Sequence, residues 1–199
     1  MWIDGTLVSP GRKSLFGERL VGGCRVWDPR RSKCAALFTK DTTLNLTPEM
    51  RVLYLGAGHG ATASHIAEYV EMLYAVEIAP RPFRDLLRIC RDVQNIIPLM
   101  ADATKPGTYA PFVEMVDFLY QDVAHPEQAE IALRNRIFLR PGGLLVLMLK
   151  TACVDSTRPP EDVFQETVDI IRRGYGIRQL HWLSPYFPDH ATIIAEVIK

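Results

Sequence analysis

The sequence predicts an α/β fold: a mostly parallel sheet with an antiparallel C-terminal strand, preceded by a small β-rich N-terminal part. Three observations carry this. Apolar runs that end in acids recur, with residues 73–76 before Glu77, 95–100 before Asp102 and 116–121 before Asp122. Segments of helical period separate them. A glycine turn, Gly56-Ala57-Gly58-His59-Gly60, directly follows the first apolar run at 51–55.

Along the chain, residues 1–46 are Gly-punctuated and mixed, with β-like pieces at Leu20-Val21 and Cys24-Arg25-Val26-Trp27 and a helix across 32–39. Residues 45–49 read as a linker, because Pro48 stops any helix. Residues 47–199 form the main domain. Its strands fall at 51–56, 72–77, 95–101 and 116–121, with helices at 60–70 and 82–93. A third helix fits 126–138, opened by Pro126 and stopped by Pro141-Gly142-Gly143. Residues 144–150 make a fully buried fifth strand, 159–173 a helix with prolines at its start, and 176–183 and 191–198 two closing strands. The connection 181–190 holds Pro185 and Pro188 and is too short for a helical crossover, so those strands pair antiparallel. A nicotinamide-binding Rossmann sheet is wholly parallel in its core. Alternating β and α with an antiparallel end matches the Rossmann-like class I methyltransferase sheet instead.

Composition sets outer bounds. Hydrophobic residues make up 48% and charged residues 23% of the 199, which suits a globular domain with a small appendage. The apolar run 144–149 is too short to span a bilayer, and the N-terminus shows no signal-peptide pattern. Cys24, Cys34, Cys90 and Cys153 form no CxxC pair, so neither a disulfide framework nor a metal site is expected. Net charge is zero but uneven. Residues 1–40 carry eight Lys/Arg against three acids, leaving +5 there and −5 elsewhere. Such a segment is either a solvated surface or a local attractor of polyanions. The neutral total argues against strong RNA binding by this chain without partners.

The glycine turn suits an adenine nucleoside, and by itself leaves two choices. Gly56-x-Gly58-x-x-Ala61 satisfies a dinucleotide fingerprint, and Gly56-x-Gly58-x-Gly60 a methyltransferase one. Glu77 is placed to accept from ribose hydroxyls, Asp102 with Ala103 to read an adenine amine, and Asp122 to sit beside the reacting end. Tyr54 stands where an acid commonly precedes the turn in methyltransferases.

Longer stretches narrow the choice. Residues 52–56 through Ser64-His65, Ala79-Pro80-Arg81, Asp122-Val123-Ala124, Asp155-Ser156-Thr157 and Asp189-His190-Ala191 resemble fibrillarin, the family of 2′-O-ribose methyltransferases of C/D box ribonucleoproteins. Phe16-Gly17-Glu18-Arg19 and residues 27–33 are similar to its N-terminal motifs, and Tyr54 is usual there. The resemblance covers nearly the whole chain and, with no Gly/Arg-rich tail, looks archaeal. It implies S-adenosylmethionine as cofactor, held by Gly56, Gly58, Ala61, Thr62, Glu77, Ile78, Asp102, Ala103, Asp122, Val123, Ala124 and His125. It implies a catalytic set of Lys33, Asp122, Lys150 and His190. Implied partners are a C/D box guide RNA, target rRNA or tRNA, a Nop-domain scaffold protein and a kink-turn-binding protein of ribosomal type. A cytoplasmic location follows for an archaeal chain, a nucleolar one for a eukaryotic chain. Ala61, Ile78 and His125 replace a threonine, an aromatic and a glutamine usual in the family, which bears on cofactor affinity more than on reaction type. The N-terminal part is also shorter than the family's.

Methyl transfer to a ribose hydroxyl needs orientation and a base. Lys150 ends a buried strand, and burial with neighbouring Lys33 would favour a neutral amine that takes the proton. Asp122 would orient that lysine, Lys33 would hold the target phosphate or hydroxyl, and His190 would complete the network. A non-catalytic subunit with a degenerate pocket, and an enzyme methylating a protein or small molecule, are the competing readings. His59 and His65 are expected to face solvent or pack on the first helix.

Overall fold

The computed structural model describes residues 1–41 and 43–198. Strands β1 (Trp2–Ile3), β2 (Thr6–Ser9), β3 (Leu20–Val21) and β4 (Cys24–Val26) form an antiparallel sheet in the order β1-β2-β4-β3. Helix α1 (Lys33–Phe38) follows. Ser32 starts it, its Oγ accepting from the Ala35 N–H at 3.3 Å. The main sheet contains β5 (Arg51–Leu55), β6 (Met72–Glu77), β7 (Ile96–Met100), β8 (Val116–Gln121), β9 (Leu139–Lys150), β10 (Tyr175–Trp182) and β11 (His190–Val197). Helices α2 (Ala61–Ala67), α3 (Pro80–Ile89), α4 (Gln128–Asn135), α5 (Thr151–Val154) and α6 (Pro160–Ile171) join them.

The sheet order is β10-β11-β9-β8-β5-β6-β7, and β11 runs antiparallel to both of its neighbours while the other pairs are parallel. From β5 the chain winds outward through β6 and β7, then returns to lay β8 on the other side of β5. The ends of β5 and β8 therefore open a crevice where the winding reverses, the usual ligand site of an open α/β sheet.

Alternation along the strands splits the core. Val52, Tyr54, Leu73, Phe118 and Tyr120 face one side, in a cluster with Ala63 and Ile66 of α2 and with Leu7 and Trp27 of the N-terminal part. Leu53, Leu55, Val76, Leu119 and Leu145 face the other, against Ile131 of α4 and Val168 of α6. Leu7 and Trp27 are buried in the same cluster as the main sheet.

Several expected boundaries move. Pro126 does not open α4. It lies in a turn, and the helix begins at Gln128 after the His125 Nδ1 has accepted from the Glu127 N–H at 3.0 Å. Pro141-Gly142-Gly143 does not stop a helix but bulges β9. The stretch of β8 from Val116 to Phe118 is matched by the longer stretch of β9 from Leu139 to Leu144. Gly142 takes φ +78° there, which favours glycine. The last strand starts at His190 rather than 191, and α5 is an element the periodicity did not indicate because four residues are too short to show one.

Candidate active site

The crevice is built from the glycine turn. Gly56 has φ +81°, and a Cβ there would stand 2.4 Å from the Asp122 carbonyl oxygen. The Asp122 N–H donates to the Leu55 carbonyl at 2.9 Å, while the Gly56 and Ala57 N–H groups both donate to the Val76 carbonyl, at 2.9 and 3.0 Å. Absence of a side chain at 56 is what lets the end of β8 close on the turn. Gly58 (φ +58°) differs: a Cβ there would meet no protein atom within 4 Å, so its backbone faces open space. Gly56→Ala is expected to lower stability by ~1–3 kcal/mol, from left-handed strain and displacement of Asp122. A denaturant titration matching the unsubstituted protein would refute this.

Glu77, at the end of β6, ties the turn to the next loop. Its Oε2 accepts from the Gly58 N–H at 2.8 Å and its Oε1 from the Ala79 N–H at 2.7 Å. A carboxylate offers about four acceptor positions, so each oxygen keeps one for a ribose hydroxyl. Ile78 beside it is 60% exposed, an apolar surface for a base to cover. Asp102 is partly committed: its Oδ1 accepts from the Thr104 N–H and hydroxyl at 2.9 and 2.7 Å. Those bonds hold its carboxyl below the usual range, and its Oδ2 lies 3.4 Å from the Lys105 ammonium. Ala103 is buried. Val123 packs partly into the core, Ala124 is exposed and His125 is half-buried. Thr62 Oγ1 bonds the Ser32 hydroxyl at 3.1 Å, linking α2 to the start of α1, and Ala61 lies beside it. Open backbone at Gly58, spare acceptor positions on Glu77 and an apolar face at Ile78 together fit an adenosyl group.

The four expected catalytic residues converge. Lys33 Nζ stands 2.5 Å from Asp122 Oδ1, both side chains about one-fifth exposed. Lys150 is the last residue of β9, and its cross-strand partner in β11 is His190. Burial, then the charges of Lys33 and Lys150, push the His190 imidazole down to about 4 against the pull of Asp189. His190 is thus neutral at physiological pH and near both lysines. Its ring also meets the edge of Phe187 at 5.7 Å. One expectation changes: the ion pair that Asp122 makes is with Lys33, not Lys150. Asp122 therefore orients Lys33, and Lys33 is engaged before any phosphate or hydroxyl arrives.

A cavity of about 830 Å³ lies next to Ser32, the residue before Lys33, and is lined by none of Lys33, Glu77, Asp102, Asp122, Lys150 and His190. It lies between the N-terminal sheet and the start of α2, and meets the crevice at Ala61 and Thr62. Arg19, Arg30 and Arg31 line it and are exposed.

Other residues escaped sequence reasoning. Arg25, counted with the basic segment, is fully buried. Its guanidinium is 2.5 Å from Glu18 and 2.5 Å from Glu68, and 3.0 Å from the Ser64 hydroxyl. His65 is buried too, bonded to the Ser9 hydroxyl at 2.7 Å and stacked under Trp27 at 5.1 Å, whereas His59 is exposed. An arginine inside a β-like piece, between Cys24 and Val26, was the available signal.

Known proteins resemble this chain along nearly its whole length. The fibrillarin family model matches residues 6–199. A fibrillarin-like rRNA/tRNA 2′-O-methyltransferase of Methanoculleus marisnigri is 55% identical over 193 residues, covering 97% of this chain and 96% of its own. A fibrillarin in complex with Nop5p superposes with a TM-score of 0.94 at 41% identity, covering 98% and 96% of the two chains. Fibrillarin of Aeropyrum pernix, solved with natively bound S-adenosyl-L-methionine, gives 0.82 at 40% identity over 92% and 84%.

Proposed function

Because the chain belongs to the fibrillarin family, we propose that it is an S-adenosylmethionine-dependent 2′-O-methyltransferase of rRNA and tRNA, directed by a C/D box guide RNA. The observation that carries this is the meeting of Lys33, Asp122, Lys150 and His190 beside the glycine turn. Gly56, Gly58, Glu77, Ile78, Asp102, Ala103 and the run from Asp122 to His125 hold the cofactor, with Ala61 and Thr62 at its methionine end. The cofactor supplies an electrophilic methyl group on a sulfonium. The chain's own residues prepare the acceptor. Lys150 Nζ is the base that takes the proton of the ribose hydroxyl. Asp122 fixes Lys33, whose remaining N–H donors face the acceptor nucleotide. Neutral His190 accepts or donates one hydrogen bond beside Lys150 without adding charge.

In this reading residues 1–46 bring Lys33 and the cations of the cavity, and residues 47–199 hold the cofactor. Arg19, Arg30 and Arg31 give the target strand phosphate contacts next to Thr62. Three cations on a chain of zero net charge give little RNA affinity, so the particle supplies the rest. The relative solved with Nop5p supports a Nop-domain scaffold as partner. A kink-turn-binding protein completes the particle. The archaeal relatives support a location in the cytoplasm of an archaeon.

The test is radiolabelled methyl transfer in a reconstituted particle, comparing a guide-matched target with the same target lacking one 2′-hydroxyl. Label on the first only is expected. Label on both would mean base or protein methylation, and label on neither would favour a structural subunit.

A further inference from the structure

Lys150 lies beyond the reach of the β8 ladder. The pairing of β8 with β9 ends at Gln121 opposite Leu147, so one edge of residues 148–150 has no strand beside it. Gln128, fully buried at the first position of α4, fills that place. Its Oε1 accepts from the Lys150 N–H and its Nε2 donates to the Lys150 carbonyl, both at 3.0 Å. A side-chain amide thus pairs with a backbone amide as a neighbouring strand would. Behind it, the buried Gln121 donates through Nε2 to the Gln128 carbonyl at 2.7 Å. Gln121 immediately precedes Asp122, so the same hydrogen-bonded chain reaches the acid of the Lys33 ion pair.

The consequence concerns His190. The N–H and C=O of one strand residue point to the same edge. With both of Lys150's turned to Gln128, its pairing with His190 is the non-hydrogen-bonded kind. The backbone of His190 agrees, since its N–H donates to the Phe187 carbonyl at 3.1 Å and its carbonyl accepts from the Leu183 N–H at 2.9 Å. Non-hydrogen-bonded antiparallel pairs bring Cα atoms to about 4.5 Å, against about 5.5 Å otherwise, and their side chains are closer.

We propose that Gln128 is a positioning residue for methyl transfer. Its carboxamide clamps the backbone of Lys150 and so sets the Lys150–His190 side-chain pair, with Gln121 linking the clamp to Asp122. The inference rests on the assignment of Lys150 given under Proposed function. A buried amide with both its groups on one residue's backbone satisfies an N–H and a C=O that an apolar side chain of like size would leave unpaired, so it fixes that backbone as well as stabilising the core. Its specific effect is on the placement of Lys150.

The experiment compares Gln128→Leu, Gln128→Glu and Lys150→Ala in the reconstituted particle. Gln128→Leu should lower kcat by about 10²-fold, the cost of a small misplacement at a reacting centre, with unchanged KM for the target and unchanged cofactor Kd. Gln128→Glu supplies the second readout. As a carboxylate it still accepts from the Lys150 N–H but has no donor for the Lys150 carbonyl. Protonated, it has both, and burial favours the protonated form. The ratio of its kcat to that of the unsubstituted protein should therefore rise as pH falls. A wild-type kcat for Gln128→Leu, with Lys150→Ala inactive, would overturn the clamp and leave the Lys150 assignment standing. So would a pH-independent ratio for Gln128→Glu. Full activity of Lys150→Ala would overturn that assignment and the clamp with it.

Discussion

Lys150→Ala lowers methyl transfer to a guide-matched target by about 10²–10⁴-fold, the usual contribution of a positioned base, while cofactor binding measured by calorimetry is unchanged. The split is expected because Lys150 ends β9, on the far side of β8 from the glycine turn and Glu77. Lys150→Arg does not restore activity, since a guanidinium cannot give up its proton at any usable pH. The pH–rate profile separates the two neighbours. Burial and the adjacent lysines hold His190 at about 4, so it is neutral across the working range. It therefore adds no inflection near 6.5, and His190→Gln should leave the shape of the profile as it was. A histidine-like inflection that vanishes in His190→Gln would refute that assignment. Equal loss of cofactor binding and of turnover in Lys150→Ala would place the lysine in the cofactor site instead.

The parts of this site that follow a local rule could be read in the sequence. A glycine turn after an apolar run, acids at successive strand ends and a lysine finishing a buried strand each have a chemical reason to stand where they do. The mostly parallel sheet with its antiparallel end followed from the alternation of strand and helix together with one short connection, whereas the strand order came only from the structure. What could not be read depends on distant segments meeting. Which cation faces Asp122 is decided by how α1 sits over β8, and nothing near residue 122 reports that Lys33 arrives there. Gln128 could not be read for the same reason, since its partner is the backbone of Lys150. Arg25 was misplaced because a charged residue in a basic stretch reads as surface. Its burial requires Glu18 and Glu68, and the second of these comes from beyond the glycine turn. Boundary errors at Pro126 and at Pro141-Gly142-Gly143 have a different source. Proline and glycine mark a change of backbone direction equally well in a turn, a bulge or a helix end.

Arg25→Met should destabilise the fold by ~3–5 kcal/mol, the range for breaking a buried ion pair from one side. Arg25 is completely buried, its partners are nearly so, and the two carboxylates it separates would face each other without a cation. The damage should reach the active site, because Glu68 and Ser64 belong to the α2 region that follows the glycine turn, while Glu18 holds the N-terminal part through the Leu15 and Phe16 N–H groups. Neutralising both acids along with the arginine, as Arg25→Met/Glu18→Gln/Glu68→Gln, should recover part of the loss, since a neutral set has no uncompensated charge to desolvate. A triple variant less stable than Arg25→Met would show that the loss came from packing. Acid sensitivity follows from the same network with one sign. Burial raises the Glu18 carboxyl, but the hydrogen bonds and charge of Arg25 outweigh it and leave it at about 2, against an ordinary 4.5. Burial, then the charge of Arg25, lower His65 from 6.5 to about 3. The unfolded chain therefore takes up protons at both groups before the folded one does, so stability falls with falling pH. The His65 part is lost from about 6.5 down to about 3, and the Glu18 part from about 4.5 down to about 2. Denaturant midpoints measured from pH 8 to 4 should decline through this window. His65→Gln should flatten the upper part of the decline, and an unchanged slope in that variant would rule His65 out as its source.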